Sequence, residues 1–155
     1  MVAATNDQTD VVLDVGRWRK LMAAALNAEG IKGPGEATLT FIDAESMSAL
    51  NLEHMGVDGP TDVLSFPIDG AGSLVGDEPR MVGDIVICPT VAATNAPDHA
   101  GDLDSELALL VIHGVLHLLG HDHAESDESE HMRTRERALL DELYGPLLAD
   151  PWAAI

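Results

Sequence analysis

Four of the seven histidines of this chain fall within one short run, HGVLHLLGHDH over 113–123. His113 and His117 are four residues apart, so on a helix they share one face with Cβ atoms about 5–6 Å apart. Gly120 can adopt the left-handed conformation that ends a helix, which would turn His123 back toward the first two imidazoles. Three imidazoles with a fourth position left for water are typical of a catalytic zinc site. The spacing therefore predicts one zinc ion per chain, held by His113, His117 and His123.

The same spacing, His-x-x-x-His-x-x-Gly-x-x-His, is the zinc-binding half of the metzincin peptidase pattern. In that pattern a glutamate follows the first histidine and serves as general base, but here Gly114 occupies the position. A peptidase of that type cannot activate its water without this carboxylate or a substitute. The run thus predicts a metal site, and a metallopeptidase is left as the weaker alternative.

Three polar side chains allow two interpretations each. His121 either contacts a ligand or substrate, or is simply exposed to solvent. Asp122 either orients a histidine ring, as carboxylates commonly do at metal sites, or caps the turn. Ser65 either faces a groove at the site or is an ordinary strand serine, and nothing indicates that it is a nucleophile.

The charge of the chain argues against broad binding of polyanions. Acidic residues outnumber Lys and Arg by 27 to 8, which gives a net charge of −19. Proteins that bind nucleic acid through its phosphates usually have the opposite balance. Contact with a polyanion would have to be local, through the metal and a few arginines, or depend on a partner. The basic side chains that fall in clusters are those at 17, 19 and 20 and those at 133, 135 and 137, and the last three are expected to pair with the glutamates at 125, 128 and 130.

Length and composition indicate one soluble domain. The 155 residues suit a single domain with its own core. We expect a cytoplasmic protein that does not enter a membrane, because no apolar stretch of about 20 residues and no signal peptide is recognisable. Cys88 is the single cysteine, which fits a reducing compartment, and its apolar surroundings predict a buried small side chain rather than a nucleophile.

The hydrophobic periodicity predicts an α+β fold with about four strands in a mixed sheet and about five helices. Residues 1–9 are expected to be disordered. The helix that carries the histidine pair begins at Asp102 or Asp104 and is central. The other predicted helices cover 17–28, 43–54, 90–97 and 125–148, and the predicted strands cover 11–13, 37–42, 61–66 and 83–88.

Three segments together resemble one family. PTDVLSFP over 60–67, GDIVICP over 83–89 and HGVLHLLGHDH over 113–123 occur in the order and with the spacing of the YbeY-type endoribonucleases, bacterial rRNA maturation factors. The resemblance implies a zinc-dependent hydrolase of single-stranded RNA that matures the 3′ end of 16S rRNA and serves ribosome quality control. It implies zinc on His113, His117 and His123, with a zinc-bound water as nucleophile, and a groove bordered by the strand from Asp62 to Phe66. Partners would be single-stranded rRNA and ribosomal or ribosome-associated proteins.

One stretch departs from the pattern of that family. Many members carry an arginine and a lysine shortly before the PTD motif, where this chain has Met55 and Val57. The exchange removes two positive charges from the expected groove, in line with the acidic total. A non-catalytic zinc-containing ribosome-assembly factor therefore stands as the main alternative to the endoribonuclease.

Overall fold

A computed structural model of the chain describes residues 1–31, 35–69, 80–121 and 125–152. Its sheet has four strands in the order β1-β2-β4-β3. The β1–β2 and β2–β4 pairs are parallel, whereas β3 runs antiparallel to β4, so the sheet is mixed as predicted. The strands are β1 (Val2–Asp7), β2 (Gly35–Ile42), β3 (Val63–Pro67) and β4 (Arg80–Ile87).

The described residues form five α-helices and one 3₁₀ turn, which confirms the predicted α+β class. None of these helices has the length and apolar character needed to cross a membrane. The helices are α1 (Val15–Ala28), α2 (Ala44–Met55), α3 (Pro89–Asn95), α4 (Leu103–Leu118) and α5 (Ser126–Leu143), with the 3₁₀ turn at Ala96–Asp98.

The prediction for the start of the chain is wrong. Residues 2–7 form β1, whose register against β2 runs from Val2 opposite Ala37 to Asp7 opposite Ile42. Residues 11–13, predicted as a strand, carry no strand structure. The polar segment is ordered by hydrogen bonds to a distant strand, and local composition does not reveal such a partner.

Helix α4 is the centre of the main core. It lies against the face of the sheet that presents Leu39, Phe41, Ile85 and Ile87, all fully buried, and it also contacts α1 and α5. The opposite face of the sheet is covered by a smaller cluster that includes Met47 from α2 and Cys88, which is buried as predicted. The histidine pair is therefore carried by a helix held on several sides, which gives it a fixed position.

The ends of α4 follow the sequence signals. Asp102 is the N-cap, and its side chain accepts the backbone N–H of Ser105 at 2.8 Å. At the other end Gly120 has φ 97°, and the N–H of His121 bonds to the carbonyl of Leu116 at 2.9 Å. This 6→1 hydrogen bond with a left-handed glycine is a Schellman termination. Gly120 thus ends the helix as its position predicts.

Helix α5 ends earlier than the prediction of about residue 148. Its last residue is Leu143, and Gly145 follows with φ 122° and a hydrogen bond from its N–H to the carbonyl of Leu140 at 2.7 Å. The left-handed glycine stops the helix, and Pro146 behind it cannot continue one. The last described turn, at 151–152, lies beyond this point.

Candidate metal centre and groove

The side chains of His113 and His117 converge on one side of α4. Their Nε2 atoms are 3.0 Å apart, and the two rings meet edge to face with centroids 4.5 Å apart. Two nitrogens bound at 2.0–2.1 Å to a tetrahedral zinc ion lie about 3.3 Å apart. The pair therefore has nearly the separation that two ligands of one zinc ion need.

The buried carboxylate of Glu136, on α5, fixes the orientation of His113. It accepts a hydrogen bond from Nδ1 of His113, and its side chain is 6% exposed. With the proton on Nδ1, the Nε2 atom of the same ring carries its lone pair toward His117. A carboxylate behind a ligating histidine is the usual arrangement at zinc sites, where it sets the tautomer and strengthens the ligand. The donor set thus fits zinc.

Trp152 also contacts the carboxylate of Glu136. Its indole Nε1 donates to the second oxygen of Glu136 at 3.3 Å, while the guanidinium of Arg137 lies 4.8 Å from the centre of the indole ring.

The sequence-based interpretation missed both Glu136 and Trp152. A signal existed for Glu136, because it lies on the buried stripe of α5 between Met132 and Leu139. An acidic residue on an apolar stripe indicates a buried partner.

Two predicted site residues, Asp122 and His123, lie outside the described residues. Within the described ranges no group of three or more His, Cys, Asp or Glu side chains is arranged to hold a metal. The pair on α4 comprises two of the three ligands that the spacing predicts, and all three stay predictions.

Gly114 faces the sheet. A Cβ atom at this position would lie 2.9 Å from Cδ1 and 3.0 Å from Cγ2 of the buried Ile85. The carbonyl of Gly114 accepts a hydrogen bond of 3.5 Å from the hydroxyl of Ser65 on β3. Because position 114 is packed against the sheet, a glutamate there would have to displace the side chain of Ile85, and it would not face the histidine pair.

A groove of about 470 Å³ runs beside the histidine pair. Its lining includes Asp62, His99, His113, Arg133 and Trp152. Asp62 lies where β3 begins; its carboxylate accepts the N–H of Val63 at 2.8 Å, and its backbone carbonyl accepts the N–H of Cys88 at 2.9 Å. Of the other predicted site residues, Ser65 contacts α4 as described above, and His121 stacks on His131 with ring centroids 5.5 Å apart.

The arginines of α5 do not pair as the sequence suggests. Arg135 forms an ion pair with Glu29 of α1, and Arg137 lies 3.9 Å from Asp150. Only Arg133 of the three lines the groove, and its described hydrogen bond is one of 3.5 Å to the hydroxyl of Ser129. The helical neighbours at 125, 128 and 130 were therefore the wrong partners for Arg135 and Arg137, because tertiary contacts with α1 and with the segment after α5 take precedence.

Met55 and Val57 lie at the end of α2 and just after it. Each is 52% exposed, and neither is part of the lining of the groove beside His113. These two positions present an apolar surface instead of two positive charges.

This chain is similar to known proteins of one family. The family model described as Endoribonuclease YbeY matches residues 3–144. An endoribonuclease YbeY from Salinispora tropica is 43% identical over 140 residues, which cover 85% of each chain. One from Mycolicibacterium gilvum is 46% identical over 112 residues, 69% of this chain and 63% of the relative. The solution structure of a protein from Thermotoga maritima is similar in fold, with a TM-score of 0.65 and 25% identity over 94% of this chain and 90% of the other.

Proposed function

This chain belongs to the endoribonuclease YbeY family, and on that premise we propose that it is a metal-dependent endoribonuclease specific for single-stranded RNA. Its substrate is the precursor of 16S rRNA, which it matures at the 3′ end, and the same activity serves ribosome quality control in the cytoplasm. The observation that carries the proposal is the convergence of two Nε2 atoms in front of a buried carboxylate, beside an open groove.

The metal is zinc, one ion per chain, held by His113, His117 and His123. Bound zinc would supply a Lewis acid that lowers the pKa of a water nucleophile toward 7 and polarises a phosphoryl oxygen. The first two ligands are supported by their geometry on α4, and His123 is supported by the sequence spacing alone.

The side chains of the protein hold this centre and receive the RNA. Glu136 keeps the proton of His113 on Nδ1, which leaves Nε2 as the ligand atom. Arg133 is exposed at the groove and is the guanidinium best placed to contact a phosphate, a geometry that suits its planar fork of donors. Asp62 borders the groove from β3. Asp122 and His121, which directly precede His123 in the sequence, orient the ligand ring or contact the substrate.

The test is cleavage of defined single-stranded rRNA fragments by the zinc-loaded protein. We expect cleavage by the wild-type chain and none by His117→Ala, with a duplex of the same sequence left intact. Circular dichroism of the variant checks that its fold is retained. Equal cleavage by both proteins would indicate a contaminating nuclease and would contradict the proposal.

A non-catalytic ribosome-assembly factor is the second candidate. It is favoured by the net charge of −19 and by the apolar pair Met55 and Val57 where related chains carry cations. RNA binding with no cleavage by the zinc-loaded protein would support this candidate over the enzyme. A metallopeptidase is not favoured, because Gly114 supplies no carboxylate as general base and a side chain at this position would meet the buried Ile85.

A further inference from the structure

The groove has a second histidine with a carboxylate behind it. Nδ1 of His99 lies 2.8 Å and 3.0 Å from the two oxygens of Glu106, and the backbone N–H of Ala100 donates to the same carboxylate at 3.1 Å. The side chain of Glu106 is fully buried on α4, whereas that of His99 is 42% exposed.

Burial of Glu106 calls for a compensating charge. A carboxylate removed from water is strongly destabilising unless it is paired or hydrogen-bonded. Among the described residues no lysine or arginine forms an ion pair with it, and its described partners are the imidazole of His99 and the N–H of Ala100. Because Nδ1 is directed at Glu106, the other ring nitrogen, Nε2, is directed away from that carboxylate.

His99 is placed where substrate would pass. It lines the groove beside His113 and also an adjoining cavity of about 520 Å³, and Asp62 lines both. Glu106 and His113 are seven residues apart on α4, which is about 10 Å along the helix axis. The anchor of His99 thus lies roughly two helical turns from the first metal ligand, on the same rigid element.

The only described hydrogen bonds of His99 that involve its ring are those of Nδ1 with Glu106. Nε2 has no described protein partner, and His99 lines the groove. In a chain of net charge −19, an imidazole that a buried carboxylate holds at a groove is a local site for contact with a polyanion.

We propose that His99, held by Glu106, is a second RNA-contacting residue that binds as an imidazolium and donates its Nε2–H to a phosphate of the bound strand, away from the phosphate at the metal. This rests on the proposed function, because it takes the groove to be the path of single-stranded RNA. It assigns His99 to binding of the strand, with no part in bond cleavage.

The test compares His99→Gln with His99→Arg, and uses His54→Ala as control for an exposed histidine outside the groove. Glutamine can keep a hydrogen bond to Glu106 but carries no charge, whereas arginine keeps the charge. Binding of a labelled single-stranded RNA is measured in the non-cleaving His117→Ala background over a range of salt, and kcat and KM are measured with His117 intact. Zinc affinity is measured for every variant.

His99→Gln is expected to weaken RNA binding about tenfold, the effect of one lost charge-assisted hydrogen bond. It should also reduce the slope of log affinity against log salt by about 0.7, the value for one phosphate contact on a single strand. KM should rise while kcat and zinc affinity stay unchanged. His99→Arg should restore most of the affinity and the slope, and His54→Ala should match the wild-type chain.

The two possible failures are distinguishable. RNA binding by the parent chain together with unchanged affinity and slope in His99→Gln would overturn the role of His99 alone. Equal losses in the glutamine and arginine variants would also overturn it, because a structural tie between the loop at 99–100 and α4 would explain them. Absence of RNA binding and cleavage by the parent chain would overturn the proposed function together with this inference.

Discussion

Glu136 and His113 are joined by a hydrogen bond between carboxylate and Nδ1 across 23 residues of sequence. This contact connects the buried stripe of α5 to the ligand pair on α4. It would make α5 part of the proposed metal centre, although α5 supplies no expected ligand.

Glu136→Gln is expected to lower zinc affinity about 10- to 100-fold, the usual effect of removing a carboxylate behind a ligating histidine. The amide keeps the size of the side chain and can still accept from Nδ1, so the loss reports the missing charge. Competition with a chromophoric zinc chelator measures the affinity. Glu142→Gln, an exposed glutamate on the same helix, is the control, and equal zinc affinities in both variants would contradict the role given to Glu136.

Gly114→Ala is expected to lower the free energy of unfolding. Crowding of a well-packed core costs about 1–3 kcal/mol, which outweighs the gain of up to about 1 kcal/mol in helix propensity. Denaturant unfolding measures the change. Gly16→Ala, in a helix where the added Cβ would meet an ordinary contact at 3.7 Å, should not destabilise the chain.

The steric origin of that effect can be isolated with Ile85→Val, which removes the Cδ1 atom nearest to position 114. The double variant should lose less stability than the sum of the single variants. Strict additivity would show that the contact between α4 and β4 at this point is not the cause.

Zinc is expected to raise the melting temperature of the chain. A ligand that binds only the folded state at 100 times its Kd stabilises it by about 2.7 kcal/mol, or roughly 5–10 °C for a domain of this size. The shift should grow with zinc concentration and disappear in His117→Ala. It should persist in His54→Ala, and a shift of equal size in His117→Ala would argue for binding elsewhere.

The start of α4 should contribute a pH-dependent part of stability. Hydrogen bonds from the side chain and the backbone N–H of Ser105 lower the pKa of Asp102 below its usual value. Because the folded-state pKa is lower than the unfolded one, this stabilisation is present above about pH 4 and is lost as the pH falls through the folded-state pKa. Protonation of Asp102 thus weakens the cap only in acid.

Asp102→Asn tests this, because asparagine is also a good N-cap but has no charge. The free energy of unfolding of the wild-type chain should exceed that of the variant at pH 7, and the two values should converge below about pH 4. Asp58→Asn, an exposed position after α2, is the control. A difference that stays constant down to pH 3 would contradict the prediction.

Local signals in the sequence were sufficient for the helix that carries the histidines. Asp102 and Gly120 mark its ends, and the four-residue spacing of His113 and His117 determines that their rings meet. Such features depend on residues close in sequence, and propensity and capping describe them well.

Features that depend on residues distant in sequence could not be predicted from such local signals. The apolar stripe around Glu136 indicates that this residue has a buried partner, but neither Glu136 nor Glu106 has sequence neighbours that identify the histidine it contacts. The strand β1 exists because β2 offers it a parallel edge, and the arginines of α5 pair with residues outside their helix. These contacts are decided by how elements pack, for which a single sequence contains no direct signal.

Helix α4 carries Glu106, His113 and His117 on one continuous element. The proposed metal site and Glu106, which anchors His99, therefore have a fixed spacing and a fixed angle about the helix axis, because each residue advances the helix by about 100° and 1.5 Å. A one-residue insertion between 106 and 113 would rotate Glu106 by about 100° relative to His113. Changes of length in the loops outside α4 would leave this angle unchanged. The periodicity of α4 therefore fixes how far apart, and at what angle about the helix axis, the anchor of His99 and the histidine pair lie.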